Sequence, residues 1–230
     1  MVSVMSVFHP FPRKKTVQLH PPIVAIPPHR ACFIPGNFTA KNTMRKIILS
    51  ELITLDGVME APGGEPGFKY TGWSGEYFNE EYLQFKLGEI FEAGAMLLGR
   101  ITYEGFAEAW PGRNDEMGFA DRMNSLPKYV VSTTLDRAEW NNSTLIKTNV
   151  VETIRQLKSQ PGGDILVVGS GTLARTLMQH DLIDEYRLMV HPTILGIGRQ
   201  LYTDTGERKN LRLLETRVFS TGIVVLIYQM

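Results

Sequence analysis

Short apolar runs alternate with segments of helical periodicity along most of the chain, beginning at Met44. Short, mostly apolar runs predict buried strands. These runs are 46–53, 95–99, 128–133, 145–148, 164–170 and 185–192. Apolar residues spaced three and four positions apart predict amphipathic helices. These segments are 80–94, 102–110, 150–158 and 172–180. Because strands and helices alternate, the pattern predicts an α/β fold whose sheet carries helices on both faces.

Two of the predicted helices have further local features. The helix at 80–94 places Leu83, Leu87 and Ile90 on one face, and Gly94 suits its C-terminal end. Asn149 precedes the helix at 150–158, with Glu152 three residues later. This spacing predicts a capping box, in which each side chain satisfies a free amide of the first turn.

The chain closes with two apolar segments, 211–219 and 223–229, on either side of a Ser-Thr-Gly turn. This arrangement predicts a C-terminal antiparallel hairpin at one edge of the sheet. Apolar and polar residues do not alternate along 223–229. We therefore expect both faces of this strand to be covered, with a partner subunit as one candidate cover.

Composition and charge narrow the class of protein. The 230 residues have a formal net charge of zero, and no apolar run approaches the ~20 residues that span a bilayer. Residues 1–43 carry +5 with no acid, so residues 44–230 carry −5, which does not favour nucleic-acid binding. Cys32 is the single cysteine, which excludes an intrachain disulfide and fits a cytoplasmic location. The histidines show no metal-ligand spacing, so we expect no metal site.

The first 43 residues differ from the rest of the chain. They contain seven of the 13 prolines, which disfavours helices and central strands. We expect a disordered, Pro-rich basic extension over 1–43 and a single domain over 44–230. The extension could be a targeting peptide, a functional tail, or translated upstream sequence with Met44 as the true start. We favour the last alternative because a predicted strand begins directly after Met44.

The stretch from Ile165 to Met178 joins a buried strand to a helix through Gly169-Ser170-Gly171. Helix amides point outward at such a turn, the helix dipole favours an anion, and glycine allows close approach. Ser170 and Thr172 add hydroxyl groups. The acidic residue that a dinucleotide fingerprint expects at the end of the next strand is absent. The pattern alone leaves a phosphate cradle and an ordinary turn both open.

A second strand end has the same character. Gly99-Arg100 follows the run at 95–99, and Thr102 stands at the start of the next helix. The Arg100 guanidinium can bind a phosphate through two hydrogen bonds. A third strand end carries the hydroxyl groups of Ser132 and Thr133. Each site alone could be a turn, but two phosphate-suited ends in one sheet favour a bound anion.

Five segments in this order resemble a known family. They are 52–59 (LITLDGVM), 97–106 (LLGRITYEGF), 128–135 (KYVVSTTL), 165–178 (ILVVGSGTLARTLM) and 184–202 (DEYRLMVHPTILGIGRQLY). The chain resembles proteins of dihydrofolate-reductase-like fold, and most closely the C-terminal reductase domain of bifunctional riboflavin-biosynthesis deaminase/reductases, in a free-standing form. The resemblance implies a mixed, mostly parallel sheet and an NADPH cofactor. We also expect a homodimer.

The resemblance also implies roles for individual residues. The residues implied to bind NADPH are Gly99, Arg100, Thr102, Ser132, Thr133, Gly169, Ser170, Gly171, Thr172 and Leu173. Asp56 matches the family's acidic residue beside the nicotinamide, so we expect it to be catalytic, although Asp-Gly is also a common turn pair. The resemblance also places Thr54 beside the nicotinamide and the substrate. Trp73 could stack on a planar substrate or simply cover the core.

The expected function is an NADPH-dependent reductase that transfers hydride to a heterocyclic or ribosylaminopyrimidine-type small molecule. It would resemble 5-amino-6-(5-phosphoribosylamino)uracil reductase of riboflavin biosynthesis. Two alternatives stay open: a non-catalytic nucleotide-binding protein that keeps the fold, and a dihydrofolate or other oxidoreductase. No carboxylate of the first helix can be placed for a pteridine, and no further basic cluster for a substrate phosphate is evident.

Overall fold

The computed structural model describes residues 44–203 and 208–230. The proline-rich extension predicted at 1–43 lies outside the described residues. The strands are β1 (Ile47–Thr54), β2 (Ala95–Gly99), β3 (Lys128–Val131), β4 (Ser143–Ile146), β5 (Ile165–Val168), β6 (Glu185–His191), β7 (Arg212–Val218) and β8 (Val224–Gln229). The helices are α1 (Glu80–Glu92), α2 (Arg100–Ala109), α3 (Phe119–Ser125), α4 (Val150–Ser159) and α5 (Gly171–Gln179).

The eight strands form one sheet in the order β4-β3-β2-β5-β1-β6-β8-β7. Strands β1 to β6 are mutually parallel, and β8 pairs antiparallel with both β6 and β7. The predicted α/β class, the mostly parallel sheet and the C-terminal hairpin are therefore confirmed. Because parallel strands end at the same edge, this order brings the ends of β3, β2, β5 and β1 side by side.

Side chains of β1 alternate between two layers of core. Ile47, Leu49 and Ile53 pack with α4 and α5 on one face of the sheet. Ile48 points to the other face, where apolar side chains of α1, α2 and α3 pack. Helices thus cover both faces of the sheet. Apolar side chains of a strand pack against helices on either face, which is why the strand sequences are apolar runs rather than alternating patterns.

One local prediction was wrong and one held only in part. Leu87 and Ile90 of α1 are buried as predicted, whereas Leu83 is only half-buried. Tyr82 and Phe85 complete the buried stripe, because their rings fill the space against Phe78 and Phe219.

Asn149 does not cap α4, since its left-handed backbone (φ +50°) is not that of a capping residue. The strand β8 buries Val225 and Ile227 on one face and half-buries its other face. Cover of that second face by a partner subunit stays a prediction.

A buried lysine fixes the start of β3. Lys128 is inaccessible to solvent, and its ammonium group donates hydrogen bonds to the carbonyls of Asn124, Leu126 and Asn141 at 2.8–3.0 Å. The ammonium also lies 4.1 Å from the centre of the Trp140 ring. Burial lowers the pKa of Lys128 to about 8. The charge therefore depends on these carbonyls for its solvation.

We expect Lys128→Met to lower the free energy of unfolding by about 2–4 kcal/mol, because it leaves buried carbonyls without their donor. Urea denaturation followed by circular dichroism measures this change. Lys147→Met is the matched control, since Lys147 forms an exposed pair with Asp136 at 3.7 Å. The control should shift stability by no more than about 0.5 kcal/mol. Equal effects of the two substitutions would contradict a supporting role for Lys128.

Candidate functional site

Two helix N-termini meet at the carboxyl edge of the sheet. Helix α2 follows β2 at Gly99, and α5 follows β5 after Ser170. The amide of Gly99 donates a 2.8 Å hydrogen bond to Oγ of Ser170. A side chain at Gly99 would come within 3.3 Å of the Ser170 Cβ, so glycine allows this approach. The two strand ends that the sequence singled out separately are thus one structural unit.

The amides of both first turns are open to a ligand. Neither α2 nor α5 has a side-chain cap among the described residues. The first-turn amides belong to Arg100, Ile101, Thr102, Gly171, Thr172 and Leu173. Such amides have no partner within their own helix, and their dipoles attract negative charge. Two converging N-termini therefore form a site suited to a pyrophosphate.

The backbone of the glycine turn is unusual. Gly169 and the non-glycine Ser170 both have left-handed conformations, with φ of +57° and +66°. The Ser170 conformation costs on the order of 1 kcal/mol, and its bond to Gly99 helps to hold it. A Cβ at Gly169 would lie 3.1 Å from Oγ1 of Thr102, and one at Gly171 would lie 2.8 Å from Sδ of Met59. The turn is packed tightly on both sides.

The remaining predicted cofactor residues lie along the same edge but differ in their availability. Arg100 is half-exposed and forms a 2.8 Å ion pair with Glu104 on the surface of α2. Such an exposed pair is weak and can be exchanged for a ligand. Oγ of Ser132 already accepts the amides of two following residues, while Thr133 is exposed. The Leu173 side chain is buried in the core, so only its amide can face a ligand.

Asp56 lies at the end of β1, on the far side of the glycine turn from β2. Its carboxylate accepts hydrogen bonds from the Thr54 hydroxyl and from the amides of Leu195 and Gly196. The Thr54 bond is the main cause that holds the pKa of Asp56 below its usual value, and the Gly196 and Leu195 amides add to it. Asp56 is therefore ionised at neutral pH and joins β1 to the segment after β6.

An aromatic cluster covers the same end of β1 and β6. The Trp73 ring lies edge-on to His191 at 5.0 Å, and Tyr77 lies at 5.5 Å from the same imidazole. The indole nitrogen of Trp73 donates to the carbonyl of Glu60 at 2.8 Å. His191 is fully buried, and its Nε2 has no partner among the described residues. Burial lowers the pKa of His191, so the imidazole is neutral.

Other features of the described residues bear on the chemistry. No group of three carboxylate, imidazole or thiol side chains is arranged for a metal ion within 44–203 and 208–230. No helix in these ranges is long and apolar enough to cross a membrane. Met59 is a site neighbour that the sequence pattern did not indicate, and its thioether lies where a Cβ at Gly171 would point.

The chain belongs to the RibD C-terminal domain family, which matches residues 45–225. This is the family of reductase domains whose motifs the sequence resembles. Among curated proteins, the chain is 32% identical over 187 residues to the uncharacterized protein YyaP of Bacillus subtilis, covering 80% of this chain and 94% of YyaP.

Solved structures show the same fold. A protein of Shewanella sp. PV-4 that is assigned by name to riboflavin biosynthesis aligns with a TM-score of 0.62 at 19% identity. The alignment covers 80% of this chain and 98% of that one. A dihydrofolate reductase from Enterococcus faecalis, solved with NADP(H), aligns with a TM-score of 0.52 at 15% identity, over 80% and 95% of the two chains. The dihydrofolate-reductase-like fold is therefore confirmed.

The buried imidazole predicts a pH dependence of stability. Because the folded-state pKa of His191 is below 6.5, its stabilising contribution is complete above pH 6.5 and is lost as the pH falls through the folded-state value. Urea denaturation of wild-type protein and His191→Gln between pH 7.5 and about 5 should show a flatter profile for the variant. His180→Gln is the control because His180 is exposed. Parallel profiles for wild type and His191→Gln would disprove this contribution.

Proposed function

We propose that the protein is an NADPH-dependent reductase that transfers hydride to a heterocyclic or ribosylaminopyrimidine-type small molecule. The observation that supports this most strongly is the pair of uncapped helix N-termini joined by the Gly99–Ser170 hydrogen bond. Membership of a reductase family supports the reaction class. The substrate and the choice of NADPH are our inference.

On this proposal, the amides of the first turns of α2 and α5 bind the pyrophosphate of the cofactor. Arg100 leaves Glu104 to bind the 2′-phosphate, and Thr102 lines the same anion site. Ser132 and Thr133, at the end of the neighbouring strand, flank the adenine-ribose end. When bound, the nicotinamide supplies the hydride, while the protein orients the reactants and excludes water.

The substrate would bind beside Asp56, Thr54 and Trp73. Asp56 is ionised and accepts three hydrogen bonds from the protein, so we assign it to orienting a substrate hydroxyl or amine rather than to donating a proton. Trp73 is almost fully buried, and its indole nitrogen is already bonded. We therefore infer that only part of the Trp73 ring contributes to a wall for a planar substrate.

The structure gives less support to dihydrofolate as the substrate. The buried carboxylate of α1 is Glu89, and it is held by the Ser50 hydroxyl at 2.8 Å and by the Lys86 ammonium at 2.5 Å. Arg187 lies 3.7 Å from its other oxygen. A carboxylate with these partners is occupied by the protein itself. This observation leaves the riboflavin-type heterocycle as the preferred substrate class.

NADPH titration of the full chain, followed by nicotinamide fluorescence, tests the proposal. We expect saturable binding that Gly171→Val weakens, because the new Cβ would lie 2.8 Å from Sδ of Met59 and the side chain would crowd the first-turn amides of α5. Arg100→Ala should weaken NADPH binding by about tenfold and leave NADH binding unchanged, since it removes a charge-assisted bond to the 2′-phosphate. Arg137→Ala is the matched control, because Arg137 is exposed on a loop beside Glu139.

Two results would argue against this function. Absence of NADPH binding by the folded wild-type protein would mean that the two glycine sites are only turns. Binding without oxidation of NADPH by any candidate heterocycle would favour the alternative of a non-catalytic nucleotide-binding protein.

We also propose a homodimer formed through the edge strand β7. All seven residues of β7 are exposed, including Leu213 at 50% and Val218 at 69%. Glu215 and Arg217 alternate along it, so two copies paired antiparallel could place opposite charges across from each other. An exposed edge strand is a ready template for such pairing. A cytoplasmic location is part of the proposal and rests only on the lack of cysteine in 44–230.

Light scattering coupled to size-exclusion chromatography tests the dimer. Wild-type protein should elute at twice the chain mass of 25.9 kDa, and Val218→Lys should shift it to the monomer. Lys147→Met, on the opposite half of the sheet, should leave the mass unchanged. A monomeric wild-type protein at tens of micromolar would reject the dimer.

A further inference from the structure

Glu51 is an acidic residue inside the apolar run that forms β1. Its side chain points to the same face as Leu49 and Ile53, which pack against α4 and α5. The residue is 3% exposed, and its Oε1 has no hydrogen-bond partner among the described residues. A buried carboxyl in the central strand is costly unless it has a role there.

The position of Glu51 relative to the glycine turn suggests that role. The ladder between β1 and β5 ends at Ser50 and Val168, so the next residue of each strand is Glu51 and Gly169. Gly169 turns into the left-handed region and leaves the ladder. The register places the buried Glu51 carboxyl group beside the Gly169 amide, and a hydrogen bond from this amide opposes the rise in the pKa of Glu51. The carboxyl group thus lies next to the residue at which the turn begins.

We propose that Glu51 is a positioning residue of the cofactor site, which holds the Gly169 amide so that the free amides of Gly171 to Leu173 face the ligand. This inference rests on the proposed function. It assigns the turn two anchors of its own: Glu51 at Gly169, and the Ser170 hydroxyl at the Gly99 amide. With both anchors in place, the first-turn amides of α5 need no rearrangement when an anion binds.

The protonation state of Glu51 fits an anion site. Burial raises the pKa of Glu51 well above its usual value, with the like charge of Glu89 adding to the rise and Lys86 and the Gly169 amide opposing it. Tyr202 is a further titratable group that interacts with this carboxyl group. A neutral carboxyl group can accept the Gly169 bond without placing a negative charge beneath bound phosphates.

Two substitutions separate the hydrogen bond from the packing. Glu51→Gln keeps a carbonyl acceptor of the same size, and Glu51→Leu fills the same apolar surroundings without one. Amide hydrogen exchange at Gly169, measured by NMR on isotope-labelled full-length protein, reports on the bond without any cofactor. NADPH affinity is measured on the same samples. Ser50→Ala is the control, since Ser50 is buried in the same strand but bonds to Glu89 on the opposite face.

We expect Glu51→Leu to fold with an intact thermal transition, to speed Gly169 exchange about tenfold and to weaken NADPH binding by a similar factor. Glu51→Gln should restore both values to within about threefold of wild type. Ser50→Ala should change neither.

Other outcomes would overturn either the role of Glu51 or the proposed function. Unchanged exchange and unchanged NADPH affinity in Glu51→Leu would overturn the inference, as would equal losses in Glu51→Gln and Glu51→Leu. If wild-type protein does not bind NADPH, the proposed function fails, and Gly169 exchange alone then decides whether Glu51 holds the turn.

Discussion

The candidate site depends on one hydrogen bond, from the amide of Gly99 to the hydroxyl of Ser170. It joins the ends of two neighbouring parallel strands, and each strand is followed directly by a helix. Because the helices begin where the strands end, this bond brings two positive helix ends together. Glycine at 99 eases this short approach, since a Cβ there would lie 3.3 Å from the Ser170 Cβ, and the same contact helps to hold the left-handed backbone of Ser170.

Buried charge is distributed so that it does not oppose this positive site. Glu89 lies on the α1 face, where it forms ion pairs with Lys86 and Arg187. Glu51 lies on the other face without a cationic partner in contact, so burial favours its neutral form. Asp56 is ionised, but it lies at the end of β1 and is bonded to the segment after β6. The anion site and the acidic group of the proposed substrate site are therefore separate.

The sequence predicted those parts of the fold that local patterns determine. Apolar runs located the strands, and glycine after a strand located both halves of the candidate cradle. Prediction was wrong where a distant contact overrode the local pattern, as at α1, where Phe85 packs against Phe219. The sequence could not show that the Ser170 hydroxyl accepts a hydrogen bond from the amide of Gly99, 71 positions away. The acidic residue Glu51 within an apolar run was a visible signal, but its meaning required the register of β1 against β5.

The geometry around Asp56 limits how the proposed reduction can proceed. Hydride addition to a C=N bond leaves a nitrogen that must gain a proton. Asp56 has no proton to give at neutral pH, because Thr54, Leu195 and Gly196 all donate to its carboxylate. The nearby imidazole of His191 is neutral and fully buried, so it cannot reach a substrate in this conformation. On the proposed function, the acceptor would therefore enter as an iminium or take its proton from another donor, such as water. An ionised carboxylate beside an iminium would stabilise it, so the proposal prefers an imine substrate to a neutral carbonyl.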